Sequence, residues 1–193
     1  LLEPLLCELA PALSRGRAEL DQGALADQQD ISIILQDIRL GALIEVDDAE
    51  ALGKLLFDAD QGTVDDEGLP VENSISEIKQ TIEGKYGPFL RDCSFVATEN
   101  NEIIAAVIVT YYEKEGLPLI AFTMTSPNHK GKGLCPFLLA IASKALHSLG
   151  YAKCFLAVNA ENIPAVSAYK KVGFRITKEE IDEAYEKNTG VLI

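Results

Sequence analysis

Thr123-Met124-Thr125-Ser126-Pro127-Asn128-His129-Lys130-Gly131-Lys132-Gly133-Leu134-Cys135 is the stretch on which the fold turns. Upstream of it, Leu117 to Thr125 reads as a β-strand. Downstream, Leu134, Phe137, Leu138, Ile141, Ala145 and Leu149 recur on one face of a helix that runs to about Ser148. A strand, a Gly-x-Gly turn and a helix form the geometry in which free backbone N–H groups and the positive helix end meet a phosphate. The surrounding charge agrees. Residues 129 to 178 hold eight Lys/Arg and one acidic residue, Glu161, which leaves nine basic and twenty-nine acidic residues for the rest of a chain of net charge −13. A local positive field attracts an anion even where the average surface repels it.

Working outward, the strand Lys153 to Val158 follows the helix, and Ala165, Val166, Tyr169 and Val172 then mark a further helix closed by Gly173. Strand, helix, strand, helix implies an α/β core with a parallel pair. Before the glycine turn, the strands Ser94 to Thr98, Ile103 to Tyr112 and Leu117 to Thr125 are joined by short connections that favour an antiparallel meander. Earlier still come a first strand, Ile31 to Ile38, a helix, Asp47 to Asp60, an acidic loop, Gly62 to Pro70, and a helix through Ile75, Ile78 and Ile82 that stops near Gly84. Residues 1–30 read as an appended helical segment, because Leu2, Leu5, Leu6, Leu9 and Leu13 form an apolar stripe. The tail restarts as a helix with the capping box Thr177 to Glu180. The organisation is thus a helical extension, 1–30, and one domain, 31–193.

The totals set bounds. A chain of 193 residues with 48% hydrophobic and 24% charged residues buries a core of its own, and no uncharged apolar run is long enough to span a bilayer. Overall acidity argues against nucleic-acid partners. Cys7, Cys93, Cys135 and Cys154 form no C-x-x-C pair and have two His for company, so structural zinc is not expected and reduced thiols in a cytoplasmic protein are. No signal segment opens the chain, but it starts with Leu1 rather than Met, which leaves a removed leader or a trimmed start open.

Competing nucleotide patterns fail at identifiable places. The dinucleotide fingerprint G-x-G-x-x-G meets Pro136 at its sixth position, and the triphosphate loop G-x-x-x-x-G-K-[ST] occurs nowhere. What remains is the diphosphate of coenzyme A. Lys130-Gly131-Lys132-Gly133-Leu134-Cys135 resembles the [QR]-x-x-G-x-[GA] loop of the GCN5-related N-acetyltransferase (GNAT) family, matching at the central glycine and departing at both flanks. A second match follows. The family's L-x-V-x-x-x-N-x-x-A-x-x-[LA]-Y-x-K-x-G-F appears as Leu156, Val158, Asn162, Ala165, Ala168, Tyr169, Lys171, Gly173 and Phe174.

The resemblance implies an α/β fold with a mixed, mostly antiparallel sheet, flanked by helices, whose parallel pair splays to admit pantetheine. It implies acetyl-CoA as acyl donor, no metal, and transfer of the acetyl group to a small-molecule or peptide amine by direct attack in a ternary complex. By the same resemblance Thr123, Met124 and Thr125 present strand backbone to the pantetheine arm, Lys130 to Cys135 hold the diphosphate, and Asn162 contacts the cofactor or caps its helix. Tyr169 is the general acid that protonates the departing thiolate, although on an apolar helix face it also reads as core. The strands that often supply a base in the family carry no carboxylate here, so the expected source is the acidic loop, with Asp66 and Glu67 as candidates. That loop also reads as a solvated one. The family has two strands after its last helix, whereas nineteen residues remain past Phe174, which leaves room for a strand supplied by the other chain of a homodimer. The rival reading is a non-catalytic acyl-CoA-binding sensor.

Overall fold

The structure is a computed structural model and describes residues 2–8 and 38–176. Its strands are β1 (Leu2–Glu8), β2 (Ile38–Leu43), β3 (Phe95–Glu99), β4 (Glu102–Tyr112), β5 (Leu117–Thr125), β6 (Lys153–Asn159) and β7 (Arg175–Ile176), and its helices α1 (Ala49–Asp60), α2 (Val71–Ile82), α3 (Leu134–Ser148) and α4 (Ile163–Lys171). They form one mixed sheet in the order β2-β3-β4-β5-β6-β1-β7. The meander β2 to β5 is antiparallel, as the short connections require. Asn100 and Asn101, both at positive φ, turn β3 into β4.

Among the described residues, each face of the sheet carries two helices. In α1, Leu52, Leu55, Leu56 and Ala59 recur at helical spacing and bury, with Ile78 of α2, against Phe122, Met124 and Phe155. A Cβ on Gly53 would come within 2.3 Å of the Cα of Ile75, so glycine is what lets α1 and α2 approach this closely. On the opposite face Leu134, Leu138, Leu139, Ala142 and Leu146 of α3 pack with Leu156, Tyr169 and Phe174. Each such leucine removed from water contributes about 1.5–3 kcal/mol.

Two features of the sheet position the site. In the β4–β5 pairing Ile108 faces Phe122 and Val109 faces Ile120, so Ala121 is the extra residue of a β-bulge. The bulge puts Ala121 and Phe122 both on the α1–α2 face and turns Thr123 toward α4. The second feature is the parallel pair. Leu119 and Phe155 alone stand in register between β5 and β6, so the strands diverge toward Thr125 and Asn159 and open the expected splay.

The N-terminal reading is corrected over residues 2–8. They form a strand rather than a helix, and β1 pairs antiparallel with the whole of β6, from Leu2↔Asn159 to Glu8↔Lys153, inside the sheet rather than as an appendage. The leucine spacing fits a helix in isolation, but the unpaired edge of β6 offers a full ladder of backbone hydrogen bonds, and tertiary pairing overrides local propensity. The short β7 then pairs with β1 at Leu5↔Ile176 and Leu6↔Arg175. The sheet position for which a neighbouring chain was considered is therefore filled from the same chain. Of the strand expected at 31–38, Ile38 alone lies within the described residues, and β2 begins there; the helices expected across 9–30 and past Thr177 lie outside them. Among the described residues no helix is long and apolar enough to cross a membrane.

Candidate active site

Thr123 of β5 meets Tyr169 of α4 beside the splay, and the glycine turn with the start of α3 follows directly on β5. Thr123 Oγ1 and the Tyr169 hydroxyl are 2.6 Å apart, which fixes the phenol at the mouth of the gap. Tyr169 is buried and packs against Phe174 with the rings tilted and their centroids 6.0 Å apart. Burial, reinforced by nearby Cys135, Asp65 and Asp60 and opposed by the Thr123 hydrogen bond, holds its pKa well above that of a free phenol. It stays protonated across the physiological range and can donate. Cys135 is the second residue of α3 and also hydrogen-bonds Thr123; burial pushes its thiol up to about 11.

Between β5 and α3 the chain makes a 3-10 turn, Pro127–His129, before the glycines. Ser126 Oγ meets His129 Nδ1 at 2.7 Å, and His129 Nε2 meets Glu99 Oε2 at 3.2 Å, bracing the turn against β3. Gly131 and Gly133 both lie at φ 80°. Among the described residues, apart from the chain neighbours, no atom stands within 4 Å of where their Cβ atoms would be, so what excludes a side chain there is backbone conformation. Gly133 caps α3 without a side-chain hydrogen bond, and the N–H groups of Leu134 and Cys135 in the first turn have no intrahelical acceptor. Thr125 Oγ1, buried at the end of β5, has no hydrogen-bond partner among the described residues. An open cradle of backbone donors beside an orphaned hydroxyl fits a diphosphate.

Other expected cofactor residues have additional partners. The Met124 side chain is buried on the α1–α2 face, so its backbone is what faces the splay. Lys130 Nζ donates to Ala59 O at 2.7 Å, at the negative end of α1, while Lys132 is exposed. Asn162 is the N-cap of α4: its Oδ1 accepts from Ala165 N at 3.1 Å, and its Nδ2 donates to Asp65 Oδ2 at 2.6 Å. The acidic loop is thereby tied to α4, the helix that carries Tyr169.

Within that loop the two residues expected as base candidates have other positions. Asp66 accepts from Gly62 N and Gly68 N, each at 2.9 Å, and these hydrogen bonds hold its carboxyl below the usual range, which makes it a staple of its own loop and a weak base. Glu67 is exposed. The carboxylate that the fold does single out is Asp60, the last residue of α1. Burial first, then Asp65, with smaller contributions from Asp66 and Glu67 and opposition from Lys130, raises it to about 7. Sequence reading met Asp60 as the last residue of the helix Asp47 to Asp60. The available clue was a broken local rule, since an acidic residue at a helix C-terminus opposes the helix dipole.

Known proteins share this architecture. A family model described as acetyltransferase (GNAT) family matches residues 65–174, more than half of the chain. Among solved structures, the PaiA N-acetyltransferase of Thermoplasma acidophilum in complex with coenzyme A is 18% identical with a TM-score of 0.59, over 74% of this chain and 92% of that one. YncA of Salmonella typhimurium, a putative acetyltransferase with its cofactor acetyl-CoA, is 15% identical with a TM-score of 0.56, over 74% and 82%. The ribosomal-protein-S18-alanine N-acetyltransferase of Escherichia coli is 20% identical with a TM-score of 0.54, over 72% and 77%. No curated protein sequence matches this chain.

Proposed function

Because the chain belongs to the acetyltransferase (GNAT) family, we propose that it is an N-acyltransferase that carries the acetyl group of acetyl-CoA to an amine by direct attack within a ternary complex. The observation that carries this reading is the Thr123–Tyr169 hydrogen bond at the mouth of the splay, one strand-end away from the glycine cradle. The cradle of Gly131, Gly133, Leu134 and Cys135 holds the diphosphate. The diverging end of β5 receives the pantetheine arm, and a backbone N–H aimed at the thioester oxygen stabilises charge that is absent in the ground state.

As the amine nitrogen bonds to the acyl carbon, the carbon–sulfur bond breaks and sulfur takes the Tyr169 proton. A buried phenol is a weaker acid than a free one, but the leaving thiolate occupies the same surroundings. Cys135, which shares Thr123 as a neighbour, reports what this pocket does to a thiol, and its pKa too is raised. Acid and leaving group therefore stay near one another on the pKa scale, as proton transfer requires. Asp60, Asp65 and Glu67 give the acceptor side a negative field, which suits a cationic amine, small or peptidic.

Thermal-shift titration with acetyl-CoA, CoA and NADH, followed by thiol release with a panel of amines, tests the reading. Stabilisation by the CoA species and thiol release that depends on amine are expected. Stabilisation by NADH alone would end the proposal, and CoA binding without turnover for any amine would favour an acyl-CoA sensor.

A further inference from the structure

Acyl transfer to an amine leaves one proton unaccounted for, the one displaced from nitrogen. Three hydrogen bonds join residues far apart in sequence. Lys130 Nζ reaches Ala59 O at 2.7 Å and pins the glycine turn to the end of α1. Asn162 Nδ2 reaches Asp65 Oδ2 at 2.6 Å and pins α4 to the loop that follows α1. Thr123 Oγ1 meets the Tyr169 hydroxyl at 2.6 Å and pins α4 to β5. Asp60, half-buried, directly follows Ala59 and begins the stretch that leads to Asp65, and Thr63 Oγ1 donates to its backbone carbonyl at 2.7 Å. Among the groups that raise the Tyr169 pKa, after burial, Cys135 and Asp65, is Asp60, with the smallest contribution.

We propose that Asp60 is the proton acceptor of the acyl transfer, taking the proton released by the amine nitrogen while Tyr169 delivers its own to sulfur on the other side of the reacting carbon. This assignment rests on the N-acyltransferase reading above. An amine that arrives protonated first gives one proton to solvent; then one N–C bond forms, one C–S bond breaks, the remaining amine proton passes to the Asp60 carboxylate and the phenol proton to the thiolate, and the Asp60 proton returns to the Tyr169 phenolate through solvent, so charge and protons balance.

The electrostatics suit the task. A carboxylate at its ordinary pKa is a poor base at neutral pH, whereas one poised near 7 accepts a proton readily. The groups that face Asp60 are Asp65, Asp66 and Glu67 of the following loop, Lys130 of the glycine turn and Tyr169 of α4. Burial and the three carboxylates raise its pKa, and the Lys130 ammonium restrains the rise. The linkage sign is definite. A carboxyl whose pKa is higher folded than unfolded disfavours its own charged form in the folded state, so the penalty is absent below about 3.8 and complete above about 7.

The test compares Asp60→Asn and Asp60→Glu with the unmodified protein. Expected for Asp60→Asn are unchanged CoA affinity, a loss of kcat of about 100-fold or more, disappearance of the rise in kcat through pH 7, and a higher Tm at pH 8 that vanishes below pH 4. Asp60→Glu should recover part of the activity and the rise with pH. Lys130→Met should shift that rise to higher pH. A merely structural Asp60 would lower Tm on substitution and weaken CoA binding, and either result overturns the assignment. So does wild-type turnover retained in Asp60→Asn with its pH profile intact, which would leave the acyltransferase reading standing. An unmodified protein inactive with every amine overturns both.

Discussion

The two sides of the splay are built from different materials. On the donor side, Gly131, Gly133 and the first turn of α3 present backbone: two positive φ angles, N–H groups of Leu134 and Cys135, and a helix end. On the acceptor side, Asp60, Asp65, Asn162 and Tyr169 present side chains brought from α1, the acidic loop and α4. A backbone site depends on local conformation and tolerates changes of neighbouring side chains. The acceptor site is a set of long-range contacts, each of which one substitution can remove.

The substitutions that probe this contrast most strongly lie at the seam. Tyr169→Phe keeps the ring packed on Phe174 but removes the proton, and is expected to lower kcat by about 10²- to 10⁴-fold with little change in Tm, measured by thiol release. Gly133→Ala asks a residue with a Cβ to hold φ 80°, at a cost of ~1–3 kcal/mol, and each ~1.4 kcal/mol raises the Kd for CoA about tenfold. Titration calorimetry should find that loss on the donor side, while the pH dependence of kcat, set on the acceptor side, stays in place. Asp65→Ala removes a like charge from beside Asp60, so the rise in kcat should move to lower pH by less than about one unit. Smallest is the effect of salt. Raising ionic strength to ~0.15 M should increase the KM of a cationic amine by roughly twofold, because the carboxylates on this side are partly exposed and screened.

Legibility in the sequence follows the same division. Glycines at fixed spacing between a strand and an amphipathic helix are local facts, and the cradle was readable from Lys130 to Cys135 for that reason. The splay and the position of Tyr169 beside it were readable because the resemblance through Leu156 to Phe174 carried them. Asp60 was not, since its altered acidity comes from burial at the end of α1 and from Asp65, tempered by Lys130, and these surroundings exist after folding alone. The double role of Asn162, cap and tie to Asp65, was half readable: the cap is local, the tie spans 97 positions. Local pattern also misled at Leu2–Glu8, where an apolar helical period gave way to the ladder that β6 offered.

That ladder carries a consequence for the order of assembly. Cys7 pairs with Cys154, so roughly 150 residues of chain lie between partners that are neighbours in the sheet. During synthesis β1 emerges first and can dock last, after β6 has been made, and contacts of such long range are the slow ones in folding. Until that moment β6 carries an open edge of unpaired backbone beside the half-formed cleft, where another chain's strand can pair in place of β1.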